Sequence, residues 1–187
     1  MRYYQYEKYP IELVVSENID KHFDSHNHVG HYVSAVVIQG EVTVYQEGRE
    51  WVCHGGDIFI IPPYVVHSVC QGRDVRLLSM CMETAFIEET DLETAEGIVR
   101  AALEDAVEQE ILGEVQKEKL LASVREVFHI RNKSGKEMDA GIKILADKIT
   151  SHPEYELSVE TMAAESFVSK YYLIRKFKRN VGMTPHR

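Results

Sequence analysis

Short runs of β-forming residues alternate with turn residues between positions 11 and 82. The runs are rich in valine, isoleucine and aromatic residues, and glycine, proline or charged residues separate them, as expected of short strands. Strands punctuated this regularly are typical of a sandwich or a closed barrel, which we expect for residues 1–88. The runs are YVSAVVIQ, VTVYQ, WVC, IFII, VVHSVC and VRLLSMCM, and the first turns are Gly40-Glu41, Glu47-Gly48-Arg49, Gly55-Gly56-Asp57 and Pro62-Pro63.

The spacing of apolar residues changes after Glu83. From about Asp91 to Ile130 apolar residues recur at helical spacing among many charges, which predicts two amphipathic helices broken near Gly113. Their apolar stripes exceed what one face of a small barrel needs to cover. Residues 89–135 are therefore expected to carry a homodimer interface, with packing against the barrel as the alternative. The apolar positions are Ile98, Ala101, Ala102, Leu112, Val115, Leu120, Leu121, Val124, Val127 and Phe128.

A polar, turn-forming run at 131–136 marks the boundary of a second domain, expected at 136–187. Three short helical patterns follow, and their ends carry the capping and stop residues that helices prefer. The first contains Ala140, Ile144, Leu145, Ala146 and Ile149 and ends before His152-Pro153; the second runs from an N-cap at Ser158 to about Glu165; the third covers 170–179 after Ser169 and is stopped by Asn180 and Gly182.

Charge is distributed unevenly along the chain. The formal net charge is −9, yet residues 166–187 contain six lysines and arginines and no acidic residue. An acidic protein does not bind nucleic acid over its whole surface, but a basic tip on an acidic body is compatible with local binding. A solvated helix face is the alternative explanation of such a charge run.

The remaining composition narrows the class of protein. Hydrophobic residues make up 44% of the chain, enough for a well-buried core, and no run approaches a membrane span or a secretory signal. We therefore expect a cytoplasmic protein with no membrane partner. Its three cysteines, Cys53, Cys70 and Cys81, are irregularly spaced, so buried free thiols are expected rather than disulfides.

The end of the chain has helix-turn-helix geometry. A short helix, a tight connection at 166–168 and a basic helix follow one another, and in such motifs the second helix enters the major groove of DNA. Leu173 and Phe177 lie one turn apart and are expected to pack on Met162 and Ala163. The opposite face is expected to meet DNA, with Arg175 at a guanine edge and Lys178 at a phosphate. That face carries Tyr171, Ile174, Arg175 and Lys178.

The residues SxxYLIRxFKxxxGMTPHR resemble the first helix-turn-helix of the AraC family of transcription regulators. The preceding AGIKILADKITSHPEYELSVETMA resembles the opening helix of that module, so the likeness covers about 50 residues. Phe167 stands where many members place glycine. By this resemblance Tyr171, Ile174 and Arg175 read bases, and Ser169, Lys170 and Lys178 complete the expected DNA-binding surface.

One feature departs from that family. Its module continues into a second helix-turn-helix, whereas this sequence stops at Arg187. We therefore expect weak operator binding by this polypeptide alone, because half of the phosphate and base contacts are missing. A dimeric effector-binding fragment with no DNA binding of its own is the corresponding alternative.

Three histidines in the first domain have the spacing of a metal site. His26 and His28 are expected on one face of a strand, roughly 7 Å apart, and His67 follows a glycine-proline turn on a later strand. These residues resemble the two cupin motifs, HxH with a following glutamate, and Gly-x5-Pro-x-Gly-x2-His. The resemblance makes the three histidines ligands and Gly40 the turn glycine, and it places the glutamate position at Val33.

The missing carboxylate leaves two interpretations of the histidines. A three-histidine site with an open position suits zinc, nickel or iron, and His31 is a candidate for the fourth ligand. Alternatively, the histidines line a metal-free pocket for an organic effector, and the sequence requires no cofactor. The expected pocket lining is Val33, Tyr45, Phe59 and Tyr64.

Together these features predict an α+β, multi-domain protein: a cupin-type jelly-roll barrel, a helical dimerisation segment and an incomplete all-α helix-turn-helix module. The expected function is ligand-responsive, sequence-specific DNA binding in transcription regulation, with a small molecule or metal in the barrel and no catalysis. The rival hypothesis is a metal-dependent cupin enzyme. That class needs a complete metal site and an acid or base in the barrel, and the sequence supplies neither at position 33.

Overall fold

A computed structural model describes residues 1–6, 8–133, 139–151, 158–181 and 184–185. Within these ranges it describes every side chain except that of Thr150. The described residues form an N-terminal β-sandwich, a layer of three helices and a C-terminal group of three shorter helices. The strands are β1 (Arg2–Gln5), β2 (Ile11–Glu17), β3 (Lys21–His26), β4 (His31–Gln39), β5 (Glu41–Gln46), β6 (Arg49–His54), β7 (Ile58–Ile61), β8 (His67–Gln71) and β9 (Arg76–Glu83). The helices are α1 (Thr84–Glu89), α2 (Leu92–Glu108), α3 (Glu114–Lys133), α4 (Ala140–Ser151), α5 (Val159–Glu165) and α6 (Lys170–Val181).

Two antiparallel sheets make the sandwich. The larger has the strand order β1-β2-β9-β4-β7 and the smaller β3-β8-β5-β6. The six predicted runs form β4–β9, whereas β1, β2 and α1 are elements that no named run predicted. Gly40 turns the chain between β4 and β5 with φ of +82°, and a Cβ there would lie 2.9 Å from the carbonyl oxygen of Asp74. That position therefore requires glycine.

The central strand β4 is buried on both faces. Val33, Ala35 and Val37 point into the sandwich, whereas Tyr32 and Val36 belong to a second cluster shared with the helices. This explains why its sequence is a continuous apolar run rather than an alternating one. The sandwich interior, which we call the barrel core, consists of Val33, Ala35, Val37, Val42, Val44, Cys53, Phe59, Ile61, Val69, Val75 and Leu77.

The helices α2 and α3 pack on the outer face of the larger sheet. Asp91 caps α2 by accepting from the backbone N–H of Thr94, and the break at Gly113 is present, as predicted. The apolar stripes of both helices are buried within the chain: Ala95, Val99, Ala102, Leu103 and Ala106 on α2, and Leu120, Leu121, Val124, Val127 and Phe128 on α3. Val115, expected in the stripe, is instead exposed. The apolar excess that predicted a dimer interface is thus used largely within the chain.

The helices α4, α5 and α6 form their own small core, which we call the helical cluster. Ser158 caps α5, accepting from the N–H of Thr161, and Ser169 accepts from the N–H of Tyr172 at the start of α6. Both caps were predicted. Asn180, expected to stop α6, lies inside it, and the predicted stop at Gly182 and the boundary at His152-Pro153 lie outside the described residues. The cluster contains Ile142, Leu145, Ala146, Val159, Met162, Ala163, Leu173, Phe177 and Val181.

Candidate effector site and DNA-binding surface

Three imidazole rings meet where β3 lies beside β8. His26 and His67 are directly paired across the two strands, with ring centroids 4.2 Å apart, and the His28 ring is 4.9 Å from His67. The ligating nitrogens of the three rings all lie within 4.8 Å of one another. The expectation that His26 and His28 share one strand is wrong, because β3 ends at His26. A register shift between Phe23 and His26 turns the chain so that His28 approaches from the following loop.

Backbone hydrogen bonds fix which nitrogen of two rings is free. Nδ1 of His26 lies 2.7 Å from the carbonyl oxygen of Asp24, and Nδ1 of His67 lies 3.0 Å from that of Val65. Since a carbonyl oxygen only accepts, each Nδ1 carries the hydrogen in the neutral ring and Nε2 keeps its lone pair. Such an outer hydrogen bond is the usual support of a metal-binding histidine.

The surroundings of His28 and His67 favour the uncharged form of these two rings. Burial, together with the neighbouring His67, His26 and His31, lowers the pKa of His28 to about 4. Burial also lowers the pKa of His67, although its hydrogen bond to the Val65 carbonyl acts in the opposite direction. His67 is 1% exposed. Converging imidazoles are a donor set that zinc, nickel and iron prefer, and two of the three have a tautomer fixed by a backbone carbonyl, so the three histidines can form a metal site.

Residue 33, where the cupin pattern places the fourth metal ligand, has no ligand atom in its side chain. Val33 is buried in the barrel core, paired with Ile61 and Cys81. His31, the predicted substitute, is the exposed first residue of β4 and does not belong to the three-histidine group. It lines a separate cavity of about 260 Å³ together with Gln5, Glu12 and Glu83.

The other predicted pocket residues have different surroundings. Phe59 lies in the barrel core. The assignment of Tyr45 to the pocket is wrong: it is 43% exposed, on the face of β5 opposite to the buried Val42 and Val44. The assignment of Tyr64 is also wrong, because its ring packs against the helical cluster rather than inside the barrel.

On the C-terminal helices, Leu173 and Phe177 pack with Met162 and Ala163, as predicted. The opposite side of α6 is open to solvent: Tyr171 is 78% exposed, and Arg175 and Lys178 are exposed as well. Two of the residues predicted to contact DNA are less available for that contact. Ile174 is half-buried against the helical cluster, and the Lys170 ammonium pairs with the Glu160 carboxylate. Ser169 is occupied as the cap of α6.

Phe167 occupies the turn between α5 and α6 with φ of +53°, in the left-handed region that favours glycine. It is 97% exposed. The departure from glycine at this position therefore leaves the turn in place but strains it, and the aromatic ring gains no burial in return.

The sequence did not predict the contacts between the β-sandwich and the C-terminal helices. The side-chain amide of Asn27 donates to the carbonyl oxygen of Val181, at the end of α6, over 2.6 Å. The backbone N–H of Tyr64 donates to the carbonyl oxygen of His28 over 2.8 Å, while its ring reaches the helical cluster. Nothing in a strand or helix pattern reports such contacts between residues so distant along the chain.

Two protein-family models match the chain. The AraC-like ligand binding domain matches residues 9–146, and the bacterial regulatory helix-turn-helix proteins of the AraC family match residues 149–187. No curated protein matches it. No described helix is long and apolar enough to cross a membrane.

Solved structures with cupin barrels are similar to part of the chain. A cupin-2 domain containing protein from Shewanella frigidimarina is 18% identical, with a TM-score of 0.34 over 41% of this chain and 72% of that chain. A cupin 2 conserved barrel domain protein from Salinispora arenicola is 19% identical, with a TM-score of 0.35 over 43% and 69%. A predicted oxalate decarboxylase from Thermotoga maritima is 16% identical, with a TM-score of 0.34; the match covers 39% of this chain and 64% of that chain, less than two thirds.

The first family model alone covers well over half of the 187 residues. The two matched domains are a ligand-binding domain and a DNA-binding helix-turn-helix, which indicate a regulator rather than an enzyme. The chain belongs to the AraC family, as a ligand-responsive DNA-binding transcription regulator with an AraC-like ligand-binding domain.

Proposed function

We propose that the effector of this regulator is a divalent transition metal ion, held by His26, His28 and His67. The observation that carries the proposal is the convergence of three imidazoles whose nitrogens lie within 4.8 Å of one another. Two of the rings donate Nδ1–H to backbone carbonyls, which leaves Nε2 free toward the metal. When bound, the metal supplies a fixed positive charge and a crosslink between the β3 and β8 ends.

In this proposal the fourth position is open to water or to an effector, since Val33 has no donor atom. We expect moderate affinity rather than the tight binding of a closed four-ligand site. In this proposal His31 lines the neighbouring cavity and does not bind the metal. The arrangement supports sensing rather than catalysis, because neither Val33 nor the buried Phe59 of the barrel core supplies an acid or base.

The DNA-binding side of the proposal assigns base contacts to Tyr171 and Arg175 and phosphate contacts to Lys178. All three are exposed on one side of α6. Lys170 and Ser169 contact the backbone in this scheme once Lys170 leaves Glu160, and Ile174 contributes through its exposed edge. A cytoplasmic location is proposed with it, since a DNA-binding role requires access to DNA.

A homodimer is the form proposed to bind DNA, with the outer faces of α2 and α3 as its interface. These faces are rich in charges but expose Leu92 and Val115. A helix-turn-helix dimer binds two half-sites on DNA, so dimerisation would serve DNA recognition. Sedimentation at tens of micromolar tests it: a dimer supports the assignment and a monomer contradicts it.

An organic effector in the cavity of about 260 Å³ is the second candidate. Its lining combines Gln5, Glu12, His31 and Glu83 with Tyr6, whose buried hydroxyl has no partner within the described residues. A buried polar atom without a partner costs free energy, and a polar ligand that satisfies it recovers that cost.

The experiment that separates the two candidates is calorimetric titration of Zn²⁺, Ni²⁺ and Fe²⁺ into metal-free protein, followed by DNA-binding measurements with and without the metal. The metal proposal predicts binding that His67→Ala abolishes and a change in DNA affinity upon metal addition. Equal binding by His67→Ala, or no binding by either protein, leaves the organic-effector candidate.

A further inference from the structure

The loop that follows β3 and the loop that precedes β8 both touch the DNA-binding helices. Asn27 lies between His26 and His28, and its amide donates to the Val181 carbonyl at the C-terminal end of α6. This contact is partly buried and joins residues 154 positions apart. A helix ends with carbonyl groups that lack a partner within the helix, so the Asn27 amide satisfies a group that α6 cannot satisfy itself.

The second loop makes its contact through Tyr64. Its ring packs against the helical cluster of α4, α5 and α6. Its backbone N–H is bonded to the His28 carbonyl, and the next residue, Val65, accepts from Nδ1 of His67. Tyr64 has φ of +64°, a strained conformation that persists only where the surroundings hold it. Tyr64 and the adjacent Val65 thus connect two of the three histidines to the helix-turn-helix.

A further contact between the barrel side and the helices is weak. Lys143 of α4 pairs with Glu88 of α1 at 3.4 Å, with both side chains about half exposed. Exposed ion pairs contribute little, because solvent and salt screen them. Asn27 and Tyr64 therefore make contacts through which the position of the helices can depend on the segments beside the histidines.

We propose that the assembled histidine site and the docked position of the helix-turn-helix stabilise each other, with Asn27 and Tyr64 as the positioning residues. The inference rests on the proposed metal function of the three histidines. A ligand stabilises the arrangement in which its site is formed, and the structure combines a formed site with docked helices. Reciprocity then requires that loss of docking weaken metal binding by the same factor by which metal strengthens docking.

The test uses the full chain and removes each contact without touching an imidazole. Asn27→Ala removes the bond to Val181, and Tyr64→Ala removes the ring while keeping the backbone N–H that bonds His28. Calorimetric titration with Zn²⁺ is expected to show about three- to tenfold weaker binding for each variant, the equivalent of one lost hydrogen bond or packing contact. The matched controls are Asn132→Ala and Tyr45→Ala, exposed residues of the same types on α3 and β5, which should bind as the wild type does.

Hydrogen exchange of α4–α6 gives the reciprocal readout. Zinc is expected to slow exchange in α6 of the wild type and to leave His67→Ala unchanged, while Asn27→Ala exchanges faster than the wild type even without metal. If the wild type binds no zinc, the proposed function fails and the inference fails with it. If the wild type binds zinc but both variants bind equally well, and α6 exchange ignores the metal, the inference alone is overturned. Circular dichroism of each variant identifies a general folding defect, and Asn27→Ala, a change at a loop residue, serves where Tyr64→Ala does not fold.

Discussion

His26 and His67 occupy directly opposite positions of β3 and β8, and their ring centroids are 4.2 Å apart. Cross-strand pairing brings the two imidazoles together, while the loop after β3 adds His28. The three-histidine group therefore lies at the edge of the sandwich where neighbouring chain segments also meet the DNA-binding helices through Asn27 and Tyr64.

Acid should destabilise the metal-free protein through His28. Its pKa in the fold is lowered to about 4 from 6.5, so the unfolded chain takes up the proton first. Stability is therefore expected to fall as pH decreases from about 6.5 toward 4, and His28 adds no further loss below that range. Denaturant midpoints at several pH values should show a flatter dependence for His28→Gln than for the wild type. The same change at the exposed His22 is the control, and an unchanged slope for His28→Gln would refute the assignment.

Phe167→Gly should stabilise the C-terminal helices. Phe167 holds a positive φ at a cost of about 1 kcal/mol, and its exposed ring offers no packing to lose. Urea unfolding followed by a probe in α4–α6 is expected to shift to higher urea. Phe167→Ala keeps the Cβ and hence the strain, so it should give no comparable gain. Equal stabilisation by alanine and glycine would mean that the ring, not the backbone, is responsible.

Arg175 and Lys178 should have different effects on DNA binding. Arg175→Ala is expected to relax the sequences recovered from a random duplex pool, because a bidentate contact with guanine discriminates by about 1–3 kcal/mol. Lys178→Ala should keep the recovered sequences and reduce the salt dependence of binding by about one phosphate contact. A uniform loss across all sequences upon Arg175→Ala would contradict its role as a base reader.

Leu173→Ala should unfold the helical cluster while leaving the barrel intact. Leu173 is fully buried between α5 and α6, and truncation of such a residue costs about 2–5 kcal/mol. Circular dichroism should lose helical signal from α4–α6, whereas the barrel transition persists. Ile144→Ala, at an exposed position of α4, is the control and should have little effect. Loss of both transitions together would show that the barrel depends on the helices.

The elements of the fold were largely predictable because alternation and helical spacing are local properties. The strands from β4 to β9, the break at Gly113 and the caps at Ser158 and Ser169 all depend on residues within a few positions of one another. The faces of residues were harder to predict. Tyr45 points outward and Tyr64 toward the helices, since the orientation of each depends on how the sandwich closes and on a positive φ.

The candidate site was likewise predictable only in part from the sequence. The three histidines were identified from their motif, yet His28 reaches the group from a loop rather than a strand, because the register shift before His26 ends β3 early. His31 has the correct parity but lines the neighbouring cavity. Asn27 gave no indication of its role, since its partner Val181 is determined by how the two domains dock.

Calorimetric titration of Zn²⁺ into metal-free wild type, His67→Ala and His22→Ala tests the central claim most directly. Removal of one of three ligands should weaken binding by more than about tenfold, whereas the exposed His22 should make no difference. We expect saturable binding of about one zinc per chain by the wild type and by His22→Ala, and its loss in His67→Ala. Absence of saturable binding in the wild type, or equal binding by all three proteins, would contradict it.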